Sequence, residues 1–246
     1  MKLVKKMTKY RGLGGLHGSA HGEAGVGGRL RALNELRRLE GPMLLDIGCG
    51  DGAYTVRMAS EFQQVLAIDV EHDRLEFFRA SSPPANINIV EGSAASVDLL
   101  DESVDIATAI EVVEHLGSSF DPVVKELCRV LRPSGVVAIT TPNRWWPLEQ
   151  HGWIIRNYRV SGILFPFLTW IRPLHRRLSD ASAFSVRELD RMLAPHGLRR
   201  IGLRYMWPPL DGHPKLRPAA HRIFAALSAI GLGAFGQTSV LVYAKA

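Results

Sequence analysis

The sequence predicts an α/β fold wound around a mostly parallel sheet, and three observations carry that expectation. Short apolar runs alternate with helically spaced segments from residue 43 to residue 140, which is how a parallel sheet with crossover helices reads in sequence. The first run, residues 43–47, ends in Gly48-Cys49-Gly50-Asp51-Gly52. Glycines there let the chain turn sharply and come close to a ligand, and the helix that follows offers free N–H groups. The second run ends in Asp69, about twenty residues past the turn, where α/β cofactor folds place the acid that holds a ribose diol.

The elements follow in order. Residues 1–28 are basic and then rich in glycine (Gly12, Gly14, Gly15, Gly18, Gly22, Gly25, Gly27, Gly28), which reads as a flexible N-terminal arm. His17 and His21 would need a helix to share a metal, and the flanking glycines disfavour one. Leu30, Leu33, Leu36 and Leu39 predict a helix over 29–39, stopped by Gly41-Pro42. Strands are expected at 43–47, 64–70, 87–90, up to 110, and 136–140. Helices are expected at 53–60, 71–80 and from Asp121-Pro122, where Val123, Val124, Leu127, Val130 and Leu131 form an apolar face. Ser185 with Glu188 three residues on is a capping box that starts another helix. A strand over 200–206, an alanine-rich helix over 219–234 and a last strand over 238–245 complete the chain. Residues 29–246 therefore read as a single domain with inserts at about 152–181 and 207–236.

Composition narrows the setting. Of the 246 residues, 46% are hydrophobic and 22% charged, ordinary values for a globular chain. The formal charge is +6, and residues 172–222 carry eleven Lys/Arg against four Asp/Glu, so the excess sits away from the glycine turn. Two cysteines give no disulfide framework. The basic start lacks an apolar h-region, and the apolar run 160–171, broken by Pro166, is too short to span a bilayer. A cytoplasmic protein is expected. The apolar inserts beside arginines suit peripheral contact with the inner membrane face. No aromatic-interleaved basic motif marks a nucleic-acid partner.

The spacing Gly48-x-Gly50-x-x-Ala53 also satisfies the dinucleotide fingerprint, so the glycines alone do not choose a ligand. Asp46 does: a carboxylate at the mouth of the turn would repel a pyrophosphate and suit a cation, such as the amino group of an amino-acid-like ligand. With Leu44-Leu45-Asp46-Ile47-Gly48-Cys49-Gly50-Asp51-Gly52, the stretch resembles motif I of the class I S-adenosylmethionine-dependent methyltransferases, of the type 11 and ubiquinone-pathway kind. The likeness covers about 41–206 and 237–245. It implies a Rossmann-like seven-stranded sheet, mostly parallel with the last strand antiparallel, helices on both faces, and helical inserts after strand five and before strand seven. It implies S-adenosylmethionine as cofactor, leaving as S-adenosylhomocysteine. The cofactor would be held by Asp46, Gly48, Cys49, Gly50, Asp69, Val70, Ser93, Ala94, Ile110 and Glu111. Ser93 stands where the family often has an aspartate beside the adenine.

The acceptor side is expected at Asn143, Trp145, Trp146 and Glu149, after strand five. Glu111, Glu114, His115 and His151 are the titratable candidates for catalysis, removing a proton from an acceptor hydroxyl. Glu111-x-x-Glu114-His115 with a later histidine also fits a divalent ion, and it looks like the motif of small-RNA 2′-O-methyltransferases. The expectation is nonetheless a site without metal and a small-molecule or lipid-like acceptor, methylated on oxygen. An RNA 2′-O-methyltransferase and a non-catalytic binding protein of the same fold are the alternatives.

Overall fold

The computed structural model describes residues 22–155, 158–161, 165–179, 181–210 and 215–246. His17 and His21 lie outside the described residues. In chain order the elements are helix α1 (Glu23–Leu36), strand β1 (Gly41–Ile47), helix α2 (Thr55–Met58), β2 (Phe62–Asp69), α3 (His72–Ala80), β3 (Ile87–Glu91), β4 (Val104–Ile110), α4 (Phe120–Val130) and β5 (Leu131–Pro142). A two-stranded hairpin follows, β6 (Trp153–Ile155) and β7 (Tyr158–Val160), then α5 (Arg172–Leu178), α6 (Val186–Leu193), β8 (Leu198–Met206), α7 (Arg217–Ala229) and β9 (Thr238–Lys245).

Seven strands form one sheet in the order β3-β2-β1-β4-β5-β9-β8. β1 to β5 pair in parallel, and β9 runs antiparallel to both its neighbours, β5 and β8. Its bounds are those expected from sequence. The chain winds outward through β1, β2 and β3, then returns to place β4 on the other side of β1. The order reverses between β1 and β4, and in open α/β sheets the crevice beyond the carboxyl ends of the strands at that reversal is where ligands bind.

Successive residues of a strand face opposite sides, and β1 shows how each side is covered. Leu44 packs with Val26, Leu30 and Leu33 of α1 and Met58 of α2. Leu45 and Ile47 pack with Val123, Val124 and Leu127 of α4 and Leu189 and Leu193 of α6. The capping box of α6 is formed, with the Ser185 N–H donating to Glu188 Oε2 at 2.8 Å.

Three expectations are corrected. Helix α1 begins at Glu23, within the stretch 1–28 expected as a flexible arm. Gly28 sits close to β8: a Cβ there would stand 3.1 Å from Met206 Cε. Burial of Val26, Leu30 and Leu33 outweighs the poor helix propensity of Gly25, Gly27 and Gly28. The helix expected over 53–60 is one α-turn followed by a 3-10 turn, Ala59–Glu61, because the glycine turn consumes its start. The first insert opens as the β6–β7 hairpin around the fully buried Trp153, and a 3-10 turn, Leu168–Trp170, leads into α5.

Candidate functional site

The glycine turn stands at the carboxyl end of β1. Gly48 and Gly52 have φ of 67° and 79°, a region that disfavours a side chain. A Cβ on Gly48 would lie 2.4 Å from Val112 Cγ2, and one on Gly52 would lie 2.2 Å from the Phe78 ring. Asp69, at the end of neighbouring β2, accepts the Gly50 N–H on Oδ2 at 2.8 Å and the Glu71 N–H on Oδ1 at 2.9 Å. One carboxylate thus fixes the turn while each oxygen keeps a further lone pair for a ligand hydroxyl. Val70 is exposed at the rim. Ser93 and Ala94 follow β3 on the same edge, where the Gly92 N–H donates to Asp69 O. Cys49 is buried, and burial followed by the charges of Asp46 and Asp69 pushes its thiol up, so it stays neutral.

Asp46 lies deeper than expected. It is 2% exposed, with Oδ2 accepting from the Thr55 hydroxyl at 2.5 Å and Oδ1 from that of Thr108 at 2.6 Å. Burial raises its pKa to about 6 against the opposing pull of those two bonds. The carboxylate therefore ties β1 to β4 and to the helix after the turn, where the sequence reading had it facing a cation at the mouth.

Ile110 ends β4 in the core. Glu111 follows with φ 58° and its Oε1 accepts from Arg29 Nε at 3.2 Å and from the Thr140 hydroxyl at 2.8 Å. Arg29 comes from α1, is buried, and donates also to Thr238 Oγ1 at 3.3 Å. An ion-paired carboxylate held this way anchors α1, where the sequence reading had it as a titratable candidate for catalysis.

Glu114, His115 and His151 do come together. Glu114 and His115 lie on the 3-10 turn Val113–His115 after β4, and His151 on the segment after β5. One ligating atom from each lies within 4.8 Å of the others. The two imidazole rings meet edge to face at 4.9 Å. Glu114 is buried; its Oε2 accepts from the Thr141 hydroxyl at 3.1 Å, and its Oε1 is buried without a hydrogen-bond partner. Burial, and then the negative charge of Glu111, raise its pKa well above the ordinary carboxylate value.

Glu149 stands behind His151. Its Oε1 accepts the His151 N–H at 3.0 Å and lies 3.5 Å from His151 Nδ1, while its Oε2 lies 2.6 Å from Nε2 of buried His175 on α5. Burial alone would push this carboxyl up, but its bonds to His151 and His175 outweigh that and hold it at about 2. Glu149 therefore positions a histidine and presents no surface to an acceptor. Asn143 is likewise buried, its Nδ2 donating to Ala234 O and Gly236 O at 2.9 and 2.7 Å. It stitches β5 to the approach of β9, which corrects its placement in a substrate wall. Trp145 fits that wall, 46% exposed and edge-on to Trp170 at 6.3 Å; Trp146 packs edge-on against Trp207 at 6.2 Å.

Sequence reasoning missed Arg29 and His175. Both are reached through tertiary pairing across long separations, and a lone arginine on a predicted helix or a histidine among arginines carries no local signal. Thr55 and Thr108 were missed too, although a buried aspartate between two strands demands hydroxyl partners.

Residues 45–139 match the model of a methyltransferase domain family. A probable S-adenosylmethionine-dependent methyltransferase of Mycolicibacterium smegmatis is 36% identical over 107 residues, 44% of this chain and 40% of that protein. A ubiquinone biosynthesis O-methyltransferase of Mesorhizobium japonicum is 31% identical over 110 residues, 44% of each chain. The matched stretches thus span about two fifths of the length of these relatives. Among solved structures, an S-adenosylmethionine-dependent methyltransferase from Mesorhizobium loti superposes with a TM-score of 0.62 at 18% identity, covering 89% of this chain and 100% of that one. At that identity the likeness speaks for the fold.

Proposed function

We propose that this chain, which belongs to the class I S-adenosylmethionine-dependent methyltransferase superfamily, methylates an oxygen of a small-molecule or lipid-like acceptor. The observation that carries the reading is the clasp between Asp69 and the glycine turn, set beside the reversal of strand order. It offers lone pairs to a ribose diol and a close backbone surface, bare of side chains at the glycines, to the rest of the cofactor. The residues present fit that cofactor: left-handed glycines whose Cβ atoms would collide with Val112 and Phe78 leave backbone at the crevice, and Val70, Ser93 and Ala94 border it.

S-adenosylmethionine, when bound, supplies an electrophilic methyl on sulfur, which an acceptor oxygen takes with release of S-adenosylhomocysteine. The chain's own work is positioning, since an already activated methyl needs its partners held in line. Arg29 and Glu111 lock α1 beside the end of β4. Trp145 offers an exposed aromatic face to the acceptor. His115 and His151, at the edge of the same crevice, are placed to take a proton from an acceptor hydroxyl, with Glu149 holding the second ring. The oxygen-methylating relative, named for ubiquinone biosynthesis, supports an acceptor of lipid-like character.

The test uses the purified chain with methyl-labelled S-adenosylmethionine and a total cell extract, partitioned into organic, aqueous and RNA fractions. Label in the organic fraction is expected. Label confined to RNA would overturn the acceptor class, and absence of cofactor binding in a parallel titration would overturn the whole reading.

A further inference from the structure

We propose that Arg144, Arg172 and Arg176 form a binding site for a phosphate group of the acceptor; that the ligand belongs to the acceptor rests on the reading above. Arg144 follows the end of β5, and Arg172 and Arg176 stand four residues apart on α5, a spacing that puts both on one face of the helix. The segment leading into α6 ties this place to the crevice. The Arg144 N–H donates to Phe184 O at 3.1 Å, and the Ser182 N–H donates to Glu114 O at 2.8 Å. The guanidinium carbon of Arg144 stands 6.0 Å over the centre of the Trp145 ring, the exposed aromatic face offered to the acceptor.

The charges here do not balance. Among the described residues, the carboxylate paired with these arginines is Glu188. Its Oε1 accepts from Arg144 Nη1 at 3.1 Å and also pairs with Arg172. Its Oε2 is already engaged by the N–H and the hydroxyl of Ser185, at 2.8 and 2.9 Å. One acid thus serves three guanidinium groups and leaves two positive charges over. Arg144 bears the cost. Its side chain is 14% exposed, and its Nε is buried without a hydrogen-bond partner. A buried donor left unpaired is costly, and an oxyanion held among the three groups would satisfy it. Partial burial and then the charge of Arg176 lower the pKa of Arg144; partial burial and then Arg144 and Arg176 lower that of Arg172. Cations that press on one another in this way are relieved by an anion.

The donor set selects the class of anion. Each guanidinium presents five N–H donors in a rigid planar fork that matches phosphate and carboxylate oxygens. Two unbalanced charges favour a dianion over a single carboxylate, and a phosphate monoester carries close to two negative charges at neutral pH. The surroundings say what the phosphate is attached to. Trp145 stands edge-on to Trp170, and Trp170 to Phe167 at 4.8 Å, and all three rings are exposed. An apolar or aromatic body joined to a phosphate fits both halves of this surface. Phosphorylated small molecules and phosphate-headed lipids share that chemistry. The phosphate takes no part in methyl transfer; its grip holds the acceptor in place while the methyl moves.

The experiment is a calorimetric titration of the full chain with inorganic phosphate at fixed ionic strength and about pH 8, where phosphate is a dianion. One phosphate per chain is expected. Binding should weaken about 10–100-fold in Arg144→Gln and in Arg172→Gln. It should tighten in Glu188→Gln, which removes the competing charge and keeps a side chain able to close the capping box. Arg199→Gln removes the same charge at the start of β8, the opposite end of the sheet, and should bind as the wild type does. S-adenosylmethionine affinity retained in the arginine variants shows that they are folded. Absence of saturable phosphate binding, or equal affinity in the wild type and both cluster variants, overturns the site. Sedimentation with phosphatidylcholine vesicles carrying phosphatidate separates the two sources. Retention released by inorganic phosphate marks a lipid headgroup, and no retention by a chain that binds inorganic phosphate marks a soluble one. Methyl label confined to products that pass an anion exchanger would overturn the site's role toward the acceptor. Phosphate bound as expected by a chain that does not bind S-adenosylmethionine would uphold the anion site and overturn the methyltransferase reading instead.

Discussion

The guanidinium of Arg29 lies 3.2 Å from the carboxylate of Glu111, and both side chains are almost wholly enclosed, at 2% and 12% exposure. The pair joins α1 to the end of β4 across the edge of the crevice. Removing one partner leaves a buried charge uncompensated, which costs about 3–5 kcal/mol. Arg29→Met should therefore lower unfolding free energy in urea by that order. The double variant Arg29→Met/Glu111→Gln should recover much of the loss, because no lone charge remains. Equal losses in single and double variants would show that packing, and not the ion pair, is what Arg29 supplies.

Asp69 joins the turn to the cofactor side of the crevice. Asp69→Asn keeps an acceptor for the Gly50 N–H but removes the charge and sets an amide NH2 against the Glu71 N–H, which loses its acceptor. A hydrogen bond to a charged group is worth about 1.5–3 kcal/mol, and each 1.4 kcal/mol is tenfold in affinity. Calorimetric titration should show S-adenosylmethionine binding about 10–100 times more weakly, with a small fall in melting temperature from the lost Glu71 N–H bond. Unchanged affinity would remove Asp69 from the ribose position.

The glycine turn tolerates no side chain at Gly52. Its φ of 79° costs a non-glycine residue roughly 1–2 kcal/mol. The Cβ would lie 2.2 Å from the Phe78 ring, and overpacking of this kind adds about 1–3 kcal/mol. Gly52→Ala should lower stability by a few kcal/mol and weaken cofactor binding with it. Because Phe78 is itself core, Gly52→Ala/Phe78→Leu is compared with Phe78→Leu alone, and against that reference only the backbone part of the loss should remain. Thermal melts of these proteins separate the two.

These sites show what the sequence made legible. Local chemistry was readable: the glycine turn, Asp69 at its offset, the Ser185–Glu188 capping box and the bounds of β9 all follow from short-range pattern. The direction in which a carboxylate points was not. Asp46, Glu111 and Glu149 read as groups open to ligands, yet each is turned inward to partners supplied from distant segments: Thr108, Arg29 and His175. Residue type announces a charge; only the fold decides what neutralises it. Hairpin β6–β7 escaped for a related reason, since its anchor Trp153 is buried by tertiary packing.

Asp46 turns that burial into a pH dependence. Its ordinary pKa of 3.8 rises to about 6 in the fold, chiefly because burial penalises the charged form. A folded-state pKa above the unfolded one contributes stability that is fully present below the unfolded value and is lost as pH rises through the folded value. The interval corresponds to about 3 kcal/mol for a fully buried group. Asp46→Asn removes the titration while keeping polar partners for Thr55 and Thr108. Unfolding free energies of the two proteins, compared from about pH 8 down to about pH 4, isolate this group from all the others that titrate. The wild type should gain on the variant as pH falls, with most of the change between about pH 6 and about pH 4. A flat difference would mean that Asp46 titrates alike in the folded and unfolded chain, and that its two threonine bonds fully offset its burial.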